Sequence, residues 1–308
     1  MGLGLGAWGS GPGAWTDDTT VFGISTHLYL NDRLDRDHLV EIAAHGFEAV
    51  EVFAVRDHFD YHDRRAALAL AEWLDDTRLT LHSLHAPIAA EYATGSWREG
   101  YSLAAADEPR RKRAVEEATT ALNVAGLVHY KMLILHCGVP APHGQPGDNQ
   151  VAAMIRSLEE LSPIAADVGV RLAVEVIPNA LSTPASLVDL LESDIEADPL
   201  GICMDVGHAR LMGDVVDAIE TCSGHLWTTH LHDNRGRSDD HLVPGQGVVD
   251  WDATLLAFQK VGYDGAWMFE LAVAAERRPV LERAVKARER FELLLNIGDE
   301  PPIGSAAD

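Results

Sequence analysis

The chain lacks several features that mark membrane, secreted and dinucleotide-binding proteins. No apolar run approaches the ~20 residues of a membrane-spanning helix, and no GxGxxG motif follows the first strand-like segment, so a Rossmann-type dinucleotide site is not supported. The three cysteines, Cys137, Cys203 and Cys222, form no CxxC motif and cannot all pair with one another. Residues 1–20 have no basic segment of the kind that opens a signal peptide. We therefore expect a cytoplasmic protein in a reducing compartment.

Positive charge is also scarce. The 308 residues include 24 Lys and Arg against 48 Asp and Glu, which gives a formal net charge of −24. A field of that sign repels phosphate backbones and anionic membranes at long range, although a metal-lined or cationic cleft would override it locally. Nucleic acid is therefore a disfavoured partner, and we expect no membrane partner.

The chain contains a regular alternation of buried and amphipathic segments. Short apolar runs of the kind that bury both faces in a parallel sheet are predicted as strands near 21–25, 48–53, 79–85, 131–136, 171–176, 200–205, 226–231 and 266–271. Helices are predicted near 36–45, 63–76, 109–125, 150–167, 184–193, 211–222, 251–260 and 278–294. Long loops are predicted at 86–108 and 137–149.

Eight successive β-α units predict an α/β protein with a (β/α)₈ TIM barrel, and a doubly wound open sheet is the alternative. The barrel is predicted to occupy residues 21–296 as a single catalytic domain. Flexible tails are predicted at residues 1–20 and 297–308, because these segments are rich in Gly, Pro and small residues.

Acidic or imidazole side chains stand at the carboxyl ends of successive predicted strands. They are His85, His136, Glu175, Asp205, His230 and Glu270, with His208 three residues beyond Asp205. A single histidine in such a place is most simply a structural hydrogen-bonding residue. Four uncompensated polar groups at one barrel mouth would be expensive to bury, whereas a shared divalent cation would balance them. The pattern therefore predicts a metal site formed by Glu175, Asp205, His230 and Glu270.

A set of motifs across residues 21–296 resembles the xylose isomerase-like barrel superfamily. The motifs are LHAPI at 84–88, LHCG at 135–138, VEV at 174–176, MDVGHA at 204–209, HLHDN at 230–234, DDHLVPGQG at 239–247 and FEL at 269–271. The superfamily contains sugar isomerases, ketose 3-epimerases, inosose dehydratases and endonuclease IV. Together the motifs are specific for the superfamily and weakly specific for any one of these activities.

The resemblance to the isomerase and epimerase branch implies proton transfer next to a carbonyl of a sugar or sugar phosphate. One divalent ion, Mn²⁺, Mg²⁺, Co²⁺ or Zn²⁺, would be held by Glu175, Asp205, His230 and Glu270 and would stabilise an enediolate. Glu175 and Glu270 match the family's acid/base pair. The implied substrate-binding residues are His85, His136, His208, Arg235 and Arg237. The same resemblance suggests a homodimer or homotetramer.

The resemblance to endonuclease IV implies a different chemistry. In that branch three Zn²⁺ ions cleave a phosphodiester at abasic DNA, and the additional ligands would be His85, His136, His208, Asp239 and His241. The acidic net charge, the compact connection between His230 and His241, and the likeness of that connection to isomerase-like members argue against a nuclease. An inosose dehydratase-like lyase is a further alternative.

Overall fold

The computed structural model describes residues 20–296 apart from 94, 141–142, 194, 196 and 198–199. Within this part of the chain eight strands close into a parallel barrel, so the predicted (β/α)₈ fold is confirmed and the open doubly wound sheet is wrong. The tails predicted at 1–20 and 297–308 lie outside the described residues, except for position 20.

The barrel strands all run in one direction. The strands of the described residues are β1 (Phe22–Ser25), β2 (Ala49–Phe53), β3 (Thr80–His85), β4 (Ala89–Ala93), β5 (Ser96–Gly100), β6 (Met132–Leu135), β7 (Arg171–Glu175), β8 (Leu200–Asp205), β9 (Leu226–Leu231) and β10 (Ala266–Phe269). β4 and β5 form a separate antiparallel pair, and the other strands close in the order β1-β10-β9-β8-β7-β6-β3-β2. All eight carboxyl ends therefore meet at one mouth.

The helices follow the strands as the hydrophobic pattern predicts. In the described residues they are α1 (Arg36–Ala44), α2 (Arg64–Thr77), α3 (Glu108–Asn123), α4 (Val151–Asp167), α5 (Pro184–Leu191), α6 (Val206–Met212), α7 (Val215–Thr221), α8 (Trp251–Lys260) and α9 (Arg278–Asn296). Local capping chemistry sets several starts. Asp107 and Thr183 accept backbone N–H bonds at the starts of α3 and α5, and a proline lies in the first turn of each helix.

Two segments differ from the prediction. The helix predicted at 211–222 is two helices, because Asp205 caps α6 directly after β8, and Asp214 accepts hydrogen bonds from the amides of Val216 and Asp217 to start α7. The predicted loop 86–108 contains the β4–β5 hairpin, in which Tyr92 lies opposite Trp97. The pairing was missed because periodicity alone gives a weak signal in such short, partly exposed strands.

The core has two layers, as both faces of the strands are covered. A large apolar cluster contains alternate residues of the strands, such as Leu133, together with helix residues such as Leu158. The intervening strand residues, among them Ile134, form smaller separate clusters. All three cysteines are free and buried. No helix of the described residues is both long enough and apolar enough to cross a membrane.

Candidate metal centre at the barrel mouth

Strand alternation aims the polar side chains into the barrel. Successive side chains of a strand point to opposite faces, so residues two apart share a face. Ala173 and Cys203 lie in one of the smaller clusters of alternate strand residues. Glu175 and Asp205 follow them by two positions on β7 and β8, at the strand ends. The interior of the barrel thus changes from apolar to ionisable at its mouth.

The central cluster consists of Glu175, Asp205, His230 and Glu270. One ligand atom from each lies within 4.8 Å of the others, and all four residues are buried. Nδ1 of His230 lies 3.0 Å from Oε2 of Glu270, 3.4 Å from Oε1 of Glu175 and 3.8 Å from Oδ2 of Asp205. The four residues predicted to share a metal are therefore brought together, with three carboxylates arranged around one ring nitrogen.

The orientation of the His230 ring leaves that nitrogen free to bind an ion. Its Nε2 donates a hydrogen bond to Oε2 of Glu51 at 3.1 Å, and the same oxygen accepts a bond from the hydroxyl of Ser83 at 2.8 Å. An ionised carboxylate only accepts hydrogen bonds, so the pair fixes the proton on Nε2. Nδ1 can then offer a lone pair to a cation that displaces its proton, and this buried atom has no hydrogen-bond partner. A ring nitrogen that faces three carboxylates fits a bound cation.

A second cluster flanks the first through Glu175. His85 and His136 place their Nε2 atoms 3.2 and 3.1 Å from Oε2 of Glu175. Nδ1 of His85 faces the carbonyl of Ala86 at 2.9 Å, so both ring nitrogens lie against an acceptor. Burial opposes the positive charge of the ring, but Glu175 raises the pKa of His85 above its usual value. This cluster also offers three ligand atoms for a divalent ion, and these atoms lie within 4.8 Å of one another.

A third cluster lies on the other flank and contains His208, His232, Asp239 and His241. Oδ2 of Asp239 is 3.1 Å from Nε2 of both His208 and His241. The Nδ1 atoms of these two rings face backbone carbonyls, those of Val176 at 3.2 Å and of Glu270 at 3.1 Å. The positions that would carry additional metal ligands are therefore also brought together.

The carboxylates of Glu175 and Glu270 are held in their ionised form. Burial opposes the charge of Glu175, but His136 and His230 outweigh it, so the pKa of this carboxyl lies well below its usual value. Burial also opposes the charge of Glu270, where His230 is the main group that lowers the pKa. The ion-pair partners of Glu175, Asp205 and Glu270 in the described residues are histidines.

The same interactions act on the histidines in the opposite direction. Burial would lower the pKa of His208, but Asp205 and Asp239 raise it well above its usual value. Burial also opposes the charge of His241, and Asp239 raises its pKa to about 9. Protonated histidines thus balance the carboxylates in the ion-free protein, and a divalent cation would supply that positive charge on binding.

The two arginines predicted to contact substrate are exposed, unlike most members of these clusters. Arg235 and Arg237 are exposed in the connection between β9 and α8. The side chain of Arg235 is 66 % exposed and lies 3.6 Å from the carboxylate of Asp240. Their predicted role stays a prediction, because either side chain would have to reach from the surface to a bound substrate.

The structure adds two histidines that the sequence prediction did not assign to the site. His232 lies two residues after His230, and its Nε2 is 3.0 Å from Oδ1 of Asp205. His27, in the short 3-10 helix that follows β1, forms a cluster with His241 and Glu270 within 4.8 Å. The period of two in HLHDN indicates that positions 230 and 232 share a face, whereas His27 carried no signal beyond its place after a predicted strand.

Comparison with known proteins agrees with the fold. The sequence model of the family described as xylose isomerase-like TIM barrel matches residues 39–295. An uncharacterised protein of Methanocaldococcus jannaschii is 27% identical over 287 residues, which cover 91% of this chain and 90% of that protein. The inosose isomerase of Bacillus subtilis is 25% identical over 142 residues, which cover 43% of this chain and 51% of that enzyme.

Among solved structures, a D-tagatose 3-epimerase-like protein superposes with a TM-score of 0.72 at 26% identity. The superposition covers 90% of this chain and 98% of that protein. The similarity therefore extends over most of this chain and nearly all of that protein.

Proposed function

Because the chain belongs to the xylose isomerase-like TIM barrel family, we propose that it is a divalent-metal-dependent isomerase or epimerase. Its substrate would be a small polyhydroxylated ketone or aldehyde, namely a sugar, a sugar phosphate or a cyclitol. The observation that carries the proposal is the convergence of Glu175, Asp205, His230 and Glu270, with Nδ1 of His230 buried and unpartnered between the carboxylates. The similarity to an inosose isomerase and to a D-tagatose 3-epimerase-like protein supports this class of substrate.

The donor set suits a hard or borderline divalent ion. Three carboxylates and one imidazole favour Mn²⁺, Mg²⁺ or Co²⁺ at least as well as Zn²⁺. When bound, such an ion polarises a carbonyl group and so acidifies the adjacent carbon–hydrogen bond. Glu51 contributes indirectly, because its bond to Nε2 of His230 fixes the ring with Nδ1 towards the centre.

Glu175 and Glu270 are the proposed acid/base pair. They stand at the ends of β7 and β10 and approach His230 from two different strands. Both carboxyl groups have a pKa well below the usual value, so each is ionised and able to accept a proton at neutral pH. One carboxylate would take the proton from carbon, and it or the other would return a proton to the product.

Substrate hydroxyls would be bound by the surrounding imidazoles. His85 and His136 lie against Glu175, and His208 lies 3.3 Å from both Glu175 and Asp205. Each ring is therefore within reach of a small molecule at the centre. Arg235 and Arg237 would contact only the distal end of a substrate, because both are exposed.

A trinuclear phosphodiesterase is the second candidate, since the two flanking clusters complete the ligand set that this activity requires. His85 and His136 share Glu175 with the centre, and Asp239 lies between His208 and His241. Three Zn²⁺ ions would supply the positive charge for an anionic backbone. The net charge of −24 nevertheless opposes association with DNA, so the isomerase is the proposal that we favour.

Hydrogen exchange at carbon tests the proposal directly. The metal-loaded protein would be incubated with a panel of ketoses and inososes in deuterated water, and we expect deuterium on the carbon next to the carbonyl. Glu270→Gln keeps the size of the side chain but loses the basic carboxylate, so exchange should fall by at least ~10²-fold. Glu289→Gln, at an exposed position of α9, is the matched control and should exchange like the wild type.

The same experiment separates the candidates. Neither phosphodiester hydrolysis nor simple binding breaks a carbon–hydrogen bond. Cleavage of abasic DNA, with no exchange on any substrate of the panel, would favour the trinuclear phosphodiesterase and reject the isomerase.

A further inference from the structure

The connection between β9 and α8 is folded around a single buried carboxylate. We call residues 232–250 the β9–α8 arm. Asp233, at its start, is 0% exposed. Its Oδ1 accepts hydrogen bonds from the backbone amides of Asn234 and Val249, at 2.9 and 3.1 Å. Its Oδ2 accepts bonds from the amides of Gly245 and Gly247 and from the indole of Trp251, at 2.9 to 3.1 Å.

These bonds require a carboxylate at position 233. All five partners are N–H donors, and within the described residues Asp233 forms no ion pair with Lys, Arg or His. An ionised carboxylate has about four lone-pair sites and no hydrogen to present. An asparagine would turn an NH₂ group towards N–H donors, and the donors left without an acceptor would be buried and unpaired.

Backbone hydrogen bonds near Asp233 also join the two ends of the arm. Asp233 and Leu242 exchange two backbone hydrogen bonds of 2.7 and 2.8 Å, and the amide of Val248 donates to the carbonyl of Asn234 at 2.9 Å. Gly247 passes so close that a Cβ there would lie 2.2 Å from both Oδ1 of Asp233 and the carbonyl of Asn234. The carboxylate thus fixes both ends of the segment that runs from Asn234 to Gly247.

That segment carries Asp239 and His241 to the third cluster. Asp239 belongs to neither a helix nor a strand, and 40% of its side chain is exposed. Its Oδ2 nevertheless lies 3.1 Å from Nε2 of both His208 and His241. A side chain in this position depends on the fold of the arm for its placement.

We propose that Asp233 is a positioning residue for a divalent-cation site formed by His208, Asp239 and His241. It would touch neither the ion nor the substrate, and would act by holding Asp239 against the two imidazoles. His232 stacks on His241 with ring centroids 4.0 Å apart and closes the cluster on one side. The site is additional to the central cluster, and its ion binding does not depend on which carbon–hydrogen bond the protein breaks.

The test is a titration of the metal-free full chain with Co²⁺, followed by visible absorption, with bound metal quantified after gel filtration. Wild type should bind one ion that Asp239→Ala removes. Asp233→Asn should lower the affinity for the same ion by about 10- to 100-fold, the usual effect of removing a residue that orients a ligand. The visible absorption of Co²⁺ bound at the central cluster should not change in these variants. Asp250→Asn, at an exposed cap of the same arm, should bind like the wild type.

Gly247→Ala gives a second disturbance of the arm that keeps every charge and every ligand. It should weaken the same ion, because its Cβ displaces the Asp233 carboxylate, and it decides the outcome if Asp233→Asn does not fold. Wild-type affinity in a folded Asp233→Asn or Gly247→Ala protein would overturn the proposal. The proposal would also be overturned if the wild type bound no Co²⁺ ion that the Asp239→Ala substitution removes. Failure of carbon-bound hydrogen exchange would reject the isomerase and leave this result unaffected.

Discussion

At the scale of single residues, the chemistry of the mouth depends on which ring nitrogen each histidine turns inward. His85, His208 and His241 direct Nδ1 at backbone carbonyls and Nε2 at a carboxylate. In His230 the nitrogen that faces the centre is Nδ1 instead, because Nε2 donates a hydrogen bond to Glu51. Carbonyls and ionised carboxylates are acceptors, so each outer partner holds a proton on the ring nitrogen that faces it, and the inward nitrogen can bind a cation that displaces its own proton.

Substitution of Asp205 should give the clearest loss of affinity for the ion at the central cluster. Asp205→Ala removes a charged ligand and leaves three, so tight binding of Mn²⁺ or Co²⁺ to the central cluster should disappear in a calorimetric titration. Asp205 also caps α6, accepting a bond from the amide of His208 at 2.6 Å. Asp205→Asn keeps a cap acceptor and should still lose most of the affinity, because the charge is gone.

The control for this prediction is Asp189→Ala, which removes an exposed carboxylate from α5. It should bind the ion like the wild type. Unchanged metal content in both Asp205 variants would contradict the assignment of Asp205 as a ligand.

At the scale of elements, α3 and α4 are joined by a buried guanidinium. Arg111 lies within the basic run at 110–113, and its side chain is 1% exposed. It donates to the carboxylates of Glu108 at 2.6 Å and Glu160 at 2.7 Å, and to the hydroxyl of Ser157 at 3.0 Å. The run therefore serves helix packing, since Arg111 links two helices.

Arg111→Ala should therefore destabilise the fold by about 2–4 kcal/mol, through lost packing and the loss of charge-assisted hydrogen bonds to two carboxylates. Arg110→Ala provides the comparison next to it. Arg110 also forms an ion pair, 2.7 Å from Asp148, but its side chain is 41% exposed and its loss should cost at most about 1 kcal/mol. Urea denaturation of both variants measures the difference. Equal losses would show that the buried contacts of Arg111 add nothing beyond the single contact of the more exposed Arg110.

The β4–β5 hairpin is a second element with a clear structural role. Trp97 stacks on Phe53 with centroids 5.5 Å apart, and Phe53 stacks on His85 at 4.0 Å. The hairpin thus covers an aromatic column that ends at the flanking cluster of His85, His136 and Glu175. Phe53 is almost fully buried, so this side of His85 is shielded from water.

At the scale of the whole molecule, the excess of negative charge dominates the electrostatics. With a net charge of −24, repulsion between exposed carboxylates destabilises the compact state at low ionic strength. The carboxylate–histidine contacts of the mouth are buried and are screened much less. Assembly into a dimer or tetramer stays a prediction.

We therefore expect the metal-free protein to become more stable as NaCl rises from about 10 to 150 mM, because the Debye length falls from roughly 30 to 8 Å. The midpoint of thermal unfolding, followed by circular dichroism in the presence of chelator, measures the effect. A midpoint that falls over this range would mean that favourable surface ion pairs outweigh the repulsion.

The sequence by itself determined the barrel and the members of the central cluster. Strand and helix periods are local properties, and a parallel barrel brings all strand ends to one mouth, so Glu175, Asp205, His230 and Glu270 could be assigned from position alone. The starts of α3 and α5 were also readable, because a cap and a proline act within one turn.

Only the tertiary structure decided the orientation of the side chains and the partners they reach. Glu51 and His230 are 179 residues apart, and their hydrogen bond depends on the order in which the strands close. The contact of His232 with Asp205 and the exposure of Arg235 likewise depend on the path of the backbone in space. The five bonds to Asp233 arise because the β9–α8 arm returns on itself, and a local pattern carries no information about such a return.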